Sequence, residues 1–210
     1  MSRRGIDVSR WQGFIEWPQV KASGIEFAII KAGGSDGGLY TDSFFEYNYY
    51  RAKQAGMGVG AYYFVGPKCL TAVDGDADAE RFLRLLKGKQ FDYPVYLDWE
   101  APPAGMREES TGAAIAFCKK IDRAGYYVGI YASDVSGFSE RLNMRKLDAF
   151  DIWVASYGSA PNYIKAFRNT YGMWQYSSTG SVPGISGNVD LDIAYYNFPE
   201  IIKSRHLNGY

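Results

Sequence analysis

Histidine is almost missing from this chain: His206, near the C-terminus, is the one imidazole among 210 residues. That scarcity leaves almost no room for a Ser-His-Asp triad or a histidine-built metal centre. Neither a metal nor a cofactor is expected. Cysteine is scarce as well. Cys69 and Cys118 have no ligand-like spacing and form no disulfide framework, so two buried free thiols are expected. No apolar run reaches the length that spans a bilayer, so membrane insertion is not expected. Residues 1–7 contain no apolar leader segment. A surplus of charge is also lacking. Lys plus Arg is 23 and Asp plus Glu is 23, so the basic face of a nucleic-acid binder is absent.

Aromatic residues, by contrast, make up 17% of the chain, with 18 Tyr and 5 Trp. Tyrosine has an apolar body and a polar tip, which suits concave surfaces that hold polar rings such as sugars. Many of these residues also serve as core filler. The most informative segment is Tyr93-Pro94-Val95-Tyr96-Leu97-Asp98-Trp99-Glu100. It reads as a buried strand ending in two acids. Side chains alternate across a strand, so Asp98 and Glu100 share a face, with Cα atoms roughly 6.5–7 Å apart. Like charges held that close raise one another's pKa. A proton-bearing acid beside an ionised one can cleave a glycosidic bond. A strand end with two solvated acids is the plain alternative.

The length fits one domain, 1–210, with a sizeable core. Strand-like runs at 5–9, 27–32, 59–65, 94–100 and 127–132 alternate with helical patterns at 17–22, 43–55, 74–86, 111–124 and 144–149. Three further strands follow at 152–156, 173–177 and 189–194, and helices stop. The expected fold is α/β: a modified TIM-like barrel of five βα units followed by three β-strands. An open doubly wound sheet is the competing architecture. In a closed barrel, chemistry sits at the C-terminal ends of the strands. Polar groups gather at such positions: Asp7 on the first strand, Tyr62 to Phe64 on the third, Tyr131 on the fifth, Trp153 and Tyr157 on the sixth, Gln175 on the seventh, and Asp190 and Asp192 on the eighth. With the first and eighth strands adjacent, Asp7 and Asp190 would face Asp98 and Glu100 across the mouth. The glycine-rich loop at 33–38 lacks the Gly-Lys-Ser/Thr ending of a phosphate loop and reads as a turn.

The opening Gly5-Ile6-Asp7-Val8-Ser9-Arg10-Trp11-Gln12-Gly13 resembles that of glycoside hydrolase family 25, the Chalaropsis-type lysozymes. Phe27 to Ala32, Gly58 to Phe64, Leu97 to Glu100, Gly129 to Tyr131, Ile152 to Ala155, Trp174 to Tyr176 and Val189 to Asp192 follow in the family's order. The likeness is strongest to phage and prophage endolysins. It implies hydrolysis of the β-1,4 bond between N-acetylmuramic acid and N-acetylglucosamine, with a peptidoglycan glycan strand as partner and a monomeric enzyme. It places the proton donor at Glu100, the second catalytic carboxylate at Asp98, and supporting acids at Asp7 and Asp190. It places substrate contacts at Tyr62, Tyr131, Trp153, Gln175 and Asp192.

Glu100 is expected to rest protonated and Asp98 ionised, the latter helped by donors such as Tyr62. Asp98 would serve either as a nucleophile or as the stabiliser of an oxazolinium-like intermediate formed by the substrate's acetamido group. The second route is preferred, with net retention. Two departures stand out. Trp99 replaces a small aliphatic residue between the acids, and Gly33-Gly34 replaces a Thr-Glu, removing an auxiliary acid. No wall-binding domain is expected after Asp192. The protein is expected either to be made in a bacterial cytoplasm and act on the wall after release, or to be a fragment of a secreted one. The alternative function is a carbohydrate-binding barrel without catalysis, which would keep the aromatics and drop the acid pair.

Overall fold

Period-two alternation organises the sheet. In β2 (Phe27–Gly34), Ala28, Ile30 and Ala32 pack outward against the helices, while Phe27 and Ile29 point inward. The same split runs through β1 (Arg3–Val8), β4 (Gly58–Phe64) and β5 (Val95–Asp98). There Ile6, Val8, Val59, Ala61, Val95 and Leu97 belong to the outer layer. The structure is a computed structural model that describes residues 2–158 and 171–210.

With β6 (Val128–Ser133), β7 (Asp151–Ala155), β8 (Met173–Gly180) and β9 (Val189–Ala194), the strands run in the order β1-β9-β8-β7-β6-β5-β4-β2. Parallel pairing of β1 with β2 closes the barrel and rules out the open sheet. The short β3 (Tyr40–Thr41) pairs with the end of β2 as an appendage. β9 alone is antiparallel to both neighbours, β1 and β8.

Among the described residues, four longer connections are helical: α1 (Trp17–Ala22), α2 (Phe45–Gln54), α3 (Ala72–Leu86) and α4 (Arg107–Arg123). Helix α3 starts two residues before its apolar pattern because Thr71 and Asp74 form a reciprocal cap, with Asp74 N–H to Thr71 Oγ1 at 3.2 Å and Thr71 N–H to Asp74 Oδ2 at 2.9 Å. The helix expected at 144–149 shrinks to a single tight turn, Met144–Lys146. So short a segment cannot hold an α-helix by itself. Helices do not stop there, however: Phe198–Ser204 forms α5. Its start signal, Asn197 followed by Pro199 and Glu200, is present in the sequence.

The barrel interior is filled by rings. Phe27 stacks on Tyr93 at 4.3 Å, and Trp153 meets Tyr96 at 5.1 Å and Tyr131 at 4.4 Å. Glycines supply the space these rings need. A Cβ on Gly5 would run into the Phe27 ring, and one on Gly129 into the Tyr96 ring. Helix α5 plugs the bottom, with Phe198 against Tyr93 and Tyr127. Asn208, fully buried, ties this plug to the barrel: its Nδ2 donates to Tyr93 O at 2.9 Å, and its Oδ1 accepts from Tyr127 N–H at 2.7 Å.

Near that end lies a buried carboxyl, Asp151, at the start of β7. Tyr96 OH donates to its Oδ2 at 2.8 Å, yet burial pushes its pKa up to about 7. An unfolded Asp titrates near about 3.9. The folded chain therefore holds this proton more tightly, and stability falls as pH rises from about 4 to about 7. We expect Asp151→Asn, which can still accept from Tyr96, to raise the melting temperature at pH 8 and to leave it unchanged at pH 4. Calorimetry at the two pH values checks this, and an equal effect at both would contradict it.

Candidate active site

The inward positions of the strands change character toward the barrel mouth. Below they are aromatic. In the last inward layer they are Asp7, Lys31, Tyr62, Asp98, Tyr131 and Gln175, joined by Asp190. These residues line a cleft of about 230 Å³, together with Ser9, Trp11, Phe64, Glu100, Trp153 and Tyr157. All of the predicted catalytic acids therefore meet in one place. Asp190 reaches the mouth from the beginning of its strand, because β9 runs antiparallel. It sits in register opposite Asp7.

Strand β5 ends at Asp98, and Glu100 lies two residues beyond it. Asp98 is 3% exposed, whereas Glu100 is an exposed residue at the rim. Trp99 between them is buried in the outer core, so its bulk is absorbed away from the cleft. Burial raises the Asp98 carboxyl well above the usual carboxylate range; the Glu100 charge adds to this and Lys31 opposes it. Glu100 is raised too, by burial of its carboxyl, again opposed by Lys31. The expected donor from Tyr62 to Asp98 is not made. Asp98 Oδ1 is buried without a hydrogen-bond partner among the described residues. What favours its ionised form is Lys31, whose Nζ lies 4.4 Å from the centre of the Phe64 ring and 5.7 Å from that of Tyr62.

A polar chain forms the opposite wall. Tyr131 OH and Tyr157 OH both donate to Gln175 Oε1, at 2.9 and 3.1 Å. Gln175 Nε2 then donates to Asp7 Oδ2 at 2.7 Å. Asp192, expected among the substrate contacts, is 0% exposed and lies behind this wall, where Trp153 Nε1 donates to its Oδ1 at 2.8 Å. Its Oδ2 is buried without a hydrogen-bond partner among the described residues, and burial raises the carboxyl well above the usual range. Burial, with the neighbouring charges of Asp192 and Asp190, raises Asp7 to match. Burial also lifts Asp190, to about 6.

The structure thus separates the five expected contacts. Tyr62 and Tyr131 line the cleft as neutral hydroxyls, both pushed to high pKa by burial. Trp153 and Gln175 form its floor, with polar atoms already committed to Asp192 and Asp7. Asp192 is buried behind the wall, and its charge adds to the upward shift of Asp7. Sequence reasoning missed Lys31 as a site residue, although its inward phase after Phe27 and Ile29 was legible. It also missed Asp36, whose charge raises Asp98. The auxiliary acid lost at Gly33-Gly34 has no room at Gly34, where a Cβ would come within 2.6 Å of the Phe64 carbonyl oxygen.

Lys31 is the cation that depresses both acids of the pair. Removing it as Lys31→Met should move the titrations of Asp98 and Glu100 to higher pH. Carboxyl carbon shifts followed by NMR measure this directly. Unmoved midpoints would show that Lys31 does not set the charge of the pair.

Comparison with known proteins agrees with this geometry. Residues 6–185 match the family described as Glycosyl hydrolases family 25. The chain is 33% identical over 189 residues to an autolytic lysozyme of Clostridium acetobutylicum, covering 90% of this chain and 55% of that one. It is 35% identical over 203 residues to lysozyme M1 of Streptomyces globisporus, covering 89% and 66%. The chain therefore spans little more than half to two thirds of these relatives. A crystal structure of a bacterial lysozyme from Streptomyces coelicolor superposes with a TM-score of 0.74 at 31% identity, covering 95% of each chain. From the motifs, the closed barrel with its single antiparallel strand and these matches, the chain belongs to glycosyl hydrolase family 25.

Proposed function

We propose that this chain is a lysozyme that hydrolyses the β-1,4 bond between N-acetylmuramic acid and N-acetylglucosamine in peptidoglycan. The observation that carries the reading is the acid pair at the end of β5: Asp98, buried, and Glu100, a rim residue that turns its carboxyl inward, in a single cleft. The names of the matched relatives support the substrate class. Glu100, at the rim and raised in pKa, gives its proton to the leaving glycosidic oxygen. As that C–O bond breaks, the acetamido oxygen of the muramic acid attacks the anomeric carbon.

Asp98 takes the acetamido N–H and balances the positive charge of the ring that forms. Asp98 lines the cleft, so its carboxyl stands beside the substrate. Water then adds at the anomeric carbon, with the Glu100 carboxylate accepting its proton, and configuration is retained. Asp7 and Asp190 set the field around the pair, the Tyr62 hydroxyl donates to the substrate, and the Tyr131 oxygen, whose proton is given to Gln175, accepts from it. The working form is a monomer, and it acts at the wall after release from the cell that makes it.

Replacing the donor as Glu100→Gln should lower clearing of a cell-wall suspension by about 10²–10⁴-fold while leaving the circular dichroism spectrum unchanged. A folded variant with near-normal clearing would remove Glu100 from the role. Digests should carry new reducing ends on muramic acid and no new amino groups. NMR of the first-formed sugar should find the β anomer; an initial α anomer would rule out both the acetamido route and attack by Asp98.

A further inference from the structure

Resting on the lysozyme reading, we propose that the turn after β1 is a second sugar platform. It carries the glycan strand onward from the acids, with Trp11 and Phe14 as stacking faces and Arg10 as the contact for the strand's acidic substituents. Trp11 belongs to the cleft wall and is nevertheless 78% exposed; Phe14, three residues on, is 74% exposed. Phe14 is not a lone protrusion. Its ring meets Phe44 at 5.2 Å and Tyr47 at 5.3 Å, both edge to face, and those two rings meet each other at 6.0 Å. The shelf is thus built from two segments far apart in sequence.

Its backbone is tied down as firmly as a core turn. Ser9 and Gln12 cap one another, and Gln12 Nε2 reaches Asn188 O at 3.4 Å. The buried carboxylate of Asp42 joins the two segments, accepting from Arg10 N–H at 3.1 Å and from Phe44 N–H at 2.9 Å. Large rings held rigid and left in water mark a binding surface. Flat aromatic faces match the apolar faces of pyranose rings.

Two features favour glycan over a second copy of the chain. The shelf is continuous with the cleft through Trp11. Along its edge the exposed Arg10 guanidinium lies 5.0 Å from the centre of the Trp11 ring and 5.7 Å from that of Tyr40. That charge complements the lactyl and peptide carboxylates of a muramoyl residue.

The test is binding by the Glu100→Gln protein, read by calorimetry and by quenching of tryptophan fluorescence. The probes are a peptidoglycan tetrasaccharide and an octasaccharide, each with and without its peptide stems. The octasaccharide should bind on the order of tenfold more tightly than the tetrasaccharide. Adding Phe14→Ala should erase that difference without changing tetrasaccharide affinity. Phe14→Leu, which keeps apolar bulk but not a flat face, should do the same. Arg10→Gln should weaken the octasaccharide both with its stems, through their peptide carboxylates, and without them, through the freed lactyl carboxylates, and leave the tetrasaccharide unchanged.

Equal affinity for the two lengths, or a length difference that survives Phe14→Ala, would overturn the platform and leave the lysozyme reading intact. A concentration-dependent dimer in sedimentation that Phe14→Ala abolishes would assign the shelf to a second copy and overturn it as well. Failure of the Glu100→Gln protein to bind either glycan would sink the lysozyme reading and the platform together.

Discussion

More negative charge is gathered in one layer of this barrel than the cations facing it can balance, and the site depends on that imbalance. Asp7, Asp98, Glu100, Asp190 and Asp192 crowd around one mouth, and burial is the leading cause of the upward shift at every one of them. Lys31 offsets part of it for the central pair. The remainder favours the protonated forms of these acids. A glycosidase needs acids that stay protonated near neutral pH. Here the upward shift of the acids comes from the sheet, which brings alternate residues of seven strands into the same dry space.

The aromatic interior serves the same end. Rings beneath the acids exclude water, and their polar tips are spent on holding the layer above. Trp153 packs against Tyr96 and Tyr131 while its indole N–H fixes Asp192. Tyr131 fixes Gln175, and Gln175 fixes Asp7. Each link uses an apolar body for packing and a polar edge for position. The abundance of tyrosine thus answers to the core-filler reading, and Tyr62, Tyr131 and Tyr157 also line the cleft.

Much of this was legible in the sequence. Period-two runs located the eight barrel strands, because strand phase is local information. The acid pair was visible for the same reason. What escaped was non-local. That Asp192 is hidden behind Asp7 depends on the pairing of β9 with β1, and its spacing from Asp190 could not reveal it. That Asp98 lacks a tyrosine donor depends on rotamers across a cleft. Lys31 was passed over for another reason: within an apolar strand a lysine reads as an edge residue, although it shares the phase of Phe27 and Ile29. Helix α5 was missed through its brevity, although its cap and proline were in plain view.

The plug at the bottom of the barrel has a consequence for how the chain comes to be folded. Asn208 binds backbone groups near residues 91, 93, 125 and 127, and β9 must insert between β1 and β8 before the barrel can close. These contacts join the two ends of the chain and the end to the middle, so contact order is high. During synthesis the first five strands leave the ribosome as an open sheet with an uncovered edge and an unsealed aromatic interior. The final residues convert that sheet into a closed barrel. Until they arrive, the nascent chain is exposed to aggregation and to proteolysis. Closure of the mouth where the acids meet therefore waits on β9 and α5.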